Sequence, residues 1–204
     1  NASSTSLTEV TTFQSSPLSL IAAQTLKPSQ NLYTELILRT LGKQRRVMSL
    51  PGPPPPENTL TSEGVGLEEV KKFLNEAGVP PSMLVWSDGS GLSRNDMVTA
   101  EATVQLLTYM HRHRYASVFR DALPIAGVDG TLRNRFKGTP AENNLRAKTG
   151  TLSSATSLSG YVRDAASDEL AFSIMVNNYP SGADVRASCI DPIAIMLASF
   201  AGKP

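Results

Sequence analysis

Two short runs of residues carry side chains suited to moving an acyl group. Ser29-Gln30-Asn31 offers a hydroxyl and a carboxamide two positions apart, and Lys148-Thr149-Gly150 offers an ammonium, a second hydroxyl and a length of backbone without a side chain. Acyl transfer from a peptide needs a nucleophile, a proton path to the departing amine and donors aimed at the oxyanion. A cation beside a hydroxyl also suits the recognition of a carboxylate. Either triplet alone is common in unrelated sequences, so their order and setting must carry the argument. Competing chemistries have less to stand on. A phosphate loop needs glycine directly before its lysine, where this sequence has Ala147, and no G-x-G-x-x-G follows a strand pattern. No G-x-S-x-G elbow is present. His111 and His113 stand two positions apart on a predicted helix and so point apart, which rules out a same-face metal pair. No metal site is predicted.

The elements that must position these triplets are legible from periodicity. Pro17 to Leu26 reads as a short apolar helix with proline in its first turn, and Pro28 interrupts it. Leu32, Leu36, Ile37 and Leu41 then share one face of a second helix, for which Gly42 supplies a stop. Ser29 to Asn31 therefore falls on a helix-to-helix junction. Leu50 to Asn58, with five prolines, is predicted to be an extended surface loop. Leu67, Val70, Phe73, Leu74 and Ala77, closed by Gly78, form an amphipathic helix. Met83 to Trp86 is a short strand with Trp86 in the core, and Asp88 to Gly91 is a turn. Thr99 caps a helix running through Leu106, Leu107 and Met110 into the basic run His111 to Arg114, where positive charge complements the helix dipole at a solvated end.

From Asn144 the period changes to two. Leu145 to Thr151 and Leu158 to Arg163 are strands, and Leu170, Phe172, Ile174 and Val176 alternate with Ala171, Ser173 and Met175 in a third. The short turn Asp164 to Asp168 favours antiparallel pairing of the last two. Ile193, Met196, Leu197 and Phe200 define a closing helix with Pro192 in its first turn. Lys148-Thr149-Gly150 thus sits on a strand.

Composition narrows the classes further. At 204 residues and 40% hydrophobic, the chain can bury a real core, and its near-cancelling charges (net +1) argue against holding nucleic acid. Cys189, beside Ile190, reads as a small buried side chain and cannot form a disulfide within the chain. No apolar run reaches the roughly 18 residues that span a bilayer. The polar start, residues 1–8, reads as a tag or a disordered lead.

Four longer blocks extend the two triplets: KPSQNLYTELILRTLG, SDGSGLSRNDMV, LPIAGVDGTLRNRF and AKTGTLSSATSLSGYV. In this order they resemble the D-alanyl-D-alanine carboxypeptidase/endopeptidase family, the class C low-molecular-mass penicillin-binding proteins, whose signature combines Ser-x-x-Lys, a Ser-x-Asn triplet and Lys-Thr-Gly. The resemblance runs from about Leu18 to Phe200. It implies a mixed α/β fold: residues 9–204 as the C-terminal part of a penicillin-binding, β-lactamase-like transpeptidase domain, with a largely antiparallel sheet and packed helices. It also implies that Ser29 passes a proton towards the leaving D-alanine nitrogen, that Asn31 bonds the acyl-side amide of the substrate, and that Lys148 and Thr149 hold its terminal carboxylate. Gly150 would let substrate approach the strand, and the Thr151 N–H would serve as an oxyanion donor. The partners implied are peptidoglycan stem peptides ending in D-Ala-D-Ala and β-lactams, with no cofactor, at an exported, periplasmic or otherwise extracytoplasmic site. Gly127, Asp129 and Gly130, like Asp88 to Gly91, are read as turn residues.

One departure matters. No serine in the chain is followed three positions later by lysine, so the family's nucleophile is missing. The expectation is a chain that is inactive alone and associates with an N-terminal portion of the same protein or with itself. The alternative is a non-catalytic module that uses Ser29, Asn31 and Lys148 only to bind peptidoglycan peptides or a protein partner.

Overall fold

The computed structural model describes residues 10–48 and 61–202. The lead at residues 1–8 and the proline-rich loop at 50–58 lie outside them. Two helices open the fold, α1 (Leu18–Leu26) and α2 (Asn31–Met48), followed by α3 (Ser62–Glu76). A two-residue hairpin, β1 (Leu84–Val85) with β2 (Met97–Val98), leads to α4 (Ala100–Arg112) and α5 (Ala116–Ala122). The main sheet is β3 (Arg146–Leu152), β4 (Ala155–Arg163) and β5 (Glu169–Asn177), antiparallel in that order, and α6 (Asp191–Ser199) closes the chain. This is the mixed, largely antiparallel architecture expected from the sequence.

The strand period sorts the sheet into two faces, each covered by helices. Leu158 and Val162 of β4, with Phe172 of β5 and Ala147 of β3, pack under Ile190, Ala194 and Ala198. On the opposite face Tyr161 packs with Leu107 of α4 and Leu123, and its hydroxyl donates to the Leu107 carbonyl at 2.6 Å. Lys148 pairs with Ser159, and Arg146 with Tyr161, so Lys148 lies on the face shared with α4. On that face β3 is the edge strand. Its first residues are covered on the free edge, where the Ala147 N–H donates to the Pro124 carbonyl at 3.0 Å and the Leu145 carbonyl accepts from the Ala126 N–H at 2.9 Å. Past Ala147 no described strand pairs with this free edge.

Several expectations need correction. Gly42 does not stop α2, which continues to Met48. It marks the crossing with α3: a Cβ there would overlap the Ser62 carbonyl oxygen and lie 2.7 Å from the Gly66 nitrogen, so the glycine serves close approach of two helices rather than termination. Trp86 is 37% exposed, since β1 ends at Val85 and only Leu84 of that strand packs against Leu74, Val79 and Ala102. Cys189 is partly exposed, on a single π-helical turn that precedes α6. Helix α5 and strand β2 have no predicted counterpart, being too short to show a period. The Thr99 cap is present, accepting from the Ala102 N–H at 3.0 Å. The two histidines after it do diverge: His111 approaches Glu169 at 3.1 Å, whereas His113 stacks between Tyr109 and Tyr115.

Gly42→Ala is expected to lower the urea midpoint. Overpacking against a backbone oxygen costs about 1–3 kcal/mol and outweighs the gain of about 1 kcal/mol from alanine's helix propensity. A raised midpoint would mean that the helices do not cross there.

Candidate active site

The Ser29 junction is built by the way α1 ends. Pro28 has no N–H to continue the ladder, the chain turns left-handed at Ser29 (φ 64°), and the Gln30 N–H returns to the Thr25 carbonyl at 2.8 Å. This is the six-to-one bond of a Schellman ending, in which glycine is the usual left-handed residue. Serine there costs about 1 kcal/mol. The hydroxyl that glycine lacks is the one used: Lys148 Nζ donates to Ser29 Oγ at 2.6 Å.

Lys148 makes one other bond, to the Thr149 carbonyl at 2.7 Å, and among the described residues it has no carboxylate partner. Burial pushes its ammonium below the ordinary lysine range. A half-desolvated cation held by two neutral acceptors is a ready receptor for an anion. Thr149 Oγ1 donates to Thr131 Oγ1 at 2.9 Å. Because Leu145 and Ala147 direct their backbone groups to the free edge, the strand period directs those of Thr149 and Thr151 the same way. Gly150 lies on the Lys148 side, and a Cβ there would overlap Ser157 Oγ across the pair, so its bareness makes room for β4 as well as for any ligand. Asn31 is the first residue of α2, next to Ser29 by way of Gln30, and its side-chain amide makes no bond to another described residue.

The structure therefore brings Ser29 and Lys148 together, with Thr149 next to Lys148, Asn31 two positions after Ser29 and Thr151 two residues along the same open edge. What the sequence reading missed is the group that holds the junction. Lys27 Nζ bonds Asp129 Oδ2 at 2.6 Å and the Leu123 carbonyl at 3.1 Å, and the Lys27 carbonyl accepts from the Thr131 N–H at 3.0 Å. Asp129 and Gly130 had ordinary turn reasons to be present. The signal lay in the block GVDGT, but its partner is 102 positions away, beyond the reach of local pattern.

The chain matches the D-Ala-D-Ala carboxypeptidase 3 (S13) family over residues 1–200. It belongs to that family. Among curated proteins it is 38% identical over 193 residues to a D-alanyl-D-alanine carboxypeptidase of Actinomadura sp. (strain R39), covering 92% of this chain and 33% of the relative. It is 34% identical to penicillin-sensitive carboxypeptidase A of Dictyostelium discoideum, covering 90% of this chain and 34% of that one. The chain thus spans about a third of the length of these relatives. Penicillin binding protein 4 from Haemophilus influenzae, solved in complex with a β-lactam, superposes with a TM-score of 0.75 at 25% identity, over 90% of this chain and 42% of that structure. Family and fold agree with the resemblance carried by the four sequence blocks.

Side-chain nitrogen NMR should show Lys148 titrating below 10.5. Ser29→Ala should lower it further, because the ammonium loses an acceptor that favours its charged form. The linkage sign follows: the folded state penalises the ammonium, so this site's contribution to stability improves as pH rises from the folded-state pKa towards 10.5. A Lys148 that titrates like a free lysine in both proteins would contradict the geometry.

Proposed function

We propose that this chain supplies two walls of a serine acyl-transfer site that acts on peptidoglycan stem peptides ending in D-Ala-D-Ala and reacts with β-lactams. The observation that carries the reading is the Lys148 to Ser29 bond at 2.6 Å, which joins the Ser-x-Asn and Lys-Thr-Gly motifs at one place. Membership of the S13 family supports it, as does the β-lactam bound to the Haemophilus structure.

In this reading a serine from a Ser-x-x-Lys segment, absent from this chain, attacks the carbonyl carbon of the penultimate D-alanine. The C–N bond to the last D-alanine breaks, and the proton released by the nucleophile passes through Ser29 Oγ to the departing nitrogen. Ser29 accepts from the Lys148 ammonium, which leaves its own hydrogen free to point at that nitrogen. Asn31 holds the acyl-side amide. Lys148 and Thr149 hold the terminal carboxylate, which discriminates a chain end from an internal peptide bond. Gly150 leaves the strand surface open, and the Thr151 N–H, on the open edge of β3, stabilises the oxyanion of the tetrahedral intermediate. Both carboxypeptidase and endopeptidase action pass through this acyl step. Its substrate places the protein outside the cytoplasmic membrane, in the periplasm or its equivalent.

The same reading makes the isolated chain inactive. It also gives a partner to the apolar side chains on α1 and α2, where Leu18, Leu32 and Leu36 are each at least half exposed: the portion of the same protein that carries the nucleophile, or a second copy of this chain.

A fluorescent penicillin should label a form of the protein extended to include Ser-x-x-Lys and leave this chain unlabelled. Lys148→Met in the extended form should lower the labelling rate at least about 100-fold. The rate of the unaltered protein should fall on the alkaline side as Lys148 loses its proton, below the pH at which an ordinary lysine would. Labelling of neither form would favour a module that binds peptide without chemistry, and labelling of this chain alone would refute its inactivity.

A further inference from the structure

We infer that Lys27 and the turn Asp129–Gly130–Thr131 are positioning residues that set the distance between Ser29 and Lys148. The inference rests on the proposed acyl-transfer reading and names what holds that site in register. Ser29 and Lys148 belong to elements with no backbone bond between them: one sits on a helix junction, the other on an edge strand. Only something that grips both can fix their separation.

The turn does so on two sides. Towards the junction, Asp129 receives Lys27 Nζ on Oδ2, while its Oδ1 accepts from the Ile125 N–H at 2.8 Å, so one carboxylate ties the junction to the segment that covers the edge of β3. Gly130, at φ 54°, lies against the Lys27 backbone, and a Cβ there would come within 2.5 Å of its carbonyl oxygen. The Thr131 N–H bonds that same carbonyl at 3.0 Å. Towards the strand, the Thr131 hydroxyl meets Thr149, the residue after Lys148. The covering segment is itself bound to β3 through Pro124 and Ala126.

Besides the Lys148–Ser29 bond itself, the Lys27 bond to the Leu123 carbonyl and the packing of Leu26 on Leu123 and Tyr161, these contacts between strand and junction pass through three consecutive residues. Lys27 is two positions before Ser29, so a shift of its backbone moves the strained left-handed residue directly. The Lys27–Asp129 pair is only partly exposed, with side chains at 24% and 33%, and it has a further acceptor in the Leu123 carbonyl, which makes it a held contact rather than a loose surface pair. A turn kept only for its own shape would have no need of the cation, the second hydroxyl or the close approach.

The test compares Asp129→Asn, Lys27→Met and the double variant with Thr99→Ala. The last removes the cap of α4, a bond from the Ala102 N–H in the cluster with Leu74 and Val79 rather than beside Lys27 or β3, and serves as a stability control. In the form of the protein that carries Ser-x-x-Lys, both single variants should slow penicillin acylation at least tenfold, and the double variant should be no slower than the worse single. Thr99→Ala, at a comparable loss of melting temperature, should acylate within twofold of the unaltered protein. In this chain, solvent exchange of the Lys148 ammonium protons should be at least ten times faster in Asp129→Asn and unchanged in Thr99→Ala. If the unaltered protein does not acylate, the functional reading fails, and the exchange measurement alone decides the positioning role. Acylation and exchange that track melting temperature alike in all variants would overturn it.

Discussion

The proposed site depends on one hydrogen bond, from the Lys148 ammonium to the Ser29 hydroxyl, made between residues 119 positions apart. Each partner carries a cost that the bond explains. Ser29 occupies a left-handed position where glycine would be relaxed, and Lys148 carries its charge into a half-buried place where no carboxylate among the described residues answers it. Strain on one side and desolvation on the other suit the preorganised site of the proposed reading.

The rest of the fold can be understood as the support for that bond. Helices on both faces of the sheet fix β4 and β5, and these fix the register of β3, which in turn decides which face Lys148 occupies. A slip of one residue would send its side chain to the opposite face. Helix α2 is located by its crossing with α3 and by the Asp88 turn, where the Gly89 N–H donates to Glu35 Oε2 at 2.8 Å. Hydrogen bonds from Gly91 and Ser90 outweigh the effect of partial burial and hold the Asp88 carboxyl below its usual range, so the turn keeps its shape by its own charge. The covered half of β3 gives rigidity and the open half gives access.

What was legible in the sequence was what local period and local chemistry record. The three strands, the Thr99 cap, the Ser29 junction and the closing helix all announce themselves within a dozen residues. The α2–α3 crossing did not, because Gly42 looks the same whether it ends a helix or admits another one. Trp86 misled for a similar reason: its bulk suggests a core, but the strand ends before it and it is Leu84, not Trp86, that packs against the neighbouring helices. At the site, the triplets and their order were readable, and the four blocks carried the family. The Lys27 clamp was not, since an ion pair between a helix end and a distant turn leaves no periodic trace in either segment.

The central claim is that Ser29 and Lys148 act as one unit in acyl transfer, and a double-mutant cycle tests it most directly. Ser29→Ala, Lys148→Met and the combined variant would be compared for penicillin acylation rate in a form of the protein that carries the nucleophile. Residues that act together lose most of their effect with the first substitution. The account predicts a double variant within about threefold of the slower single variant, a margin smaller than about 1 kcal/mol. A double variant whose loss equals the product of the two single losses would show that the hydroxyl and the ammonium work independently, and would contradict the account.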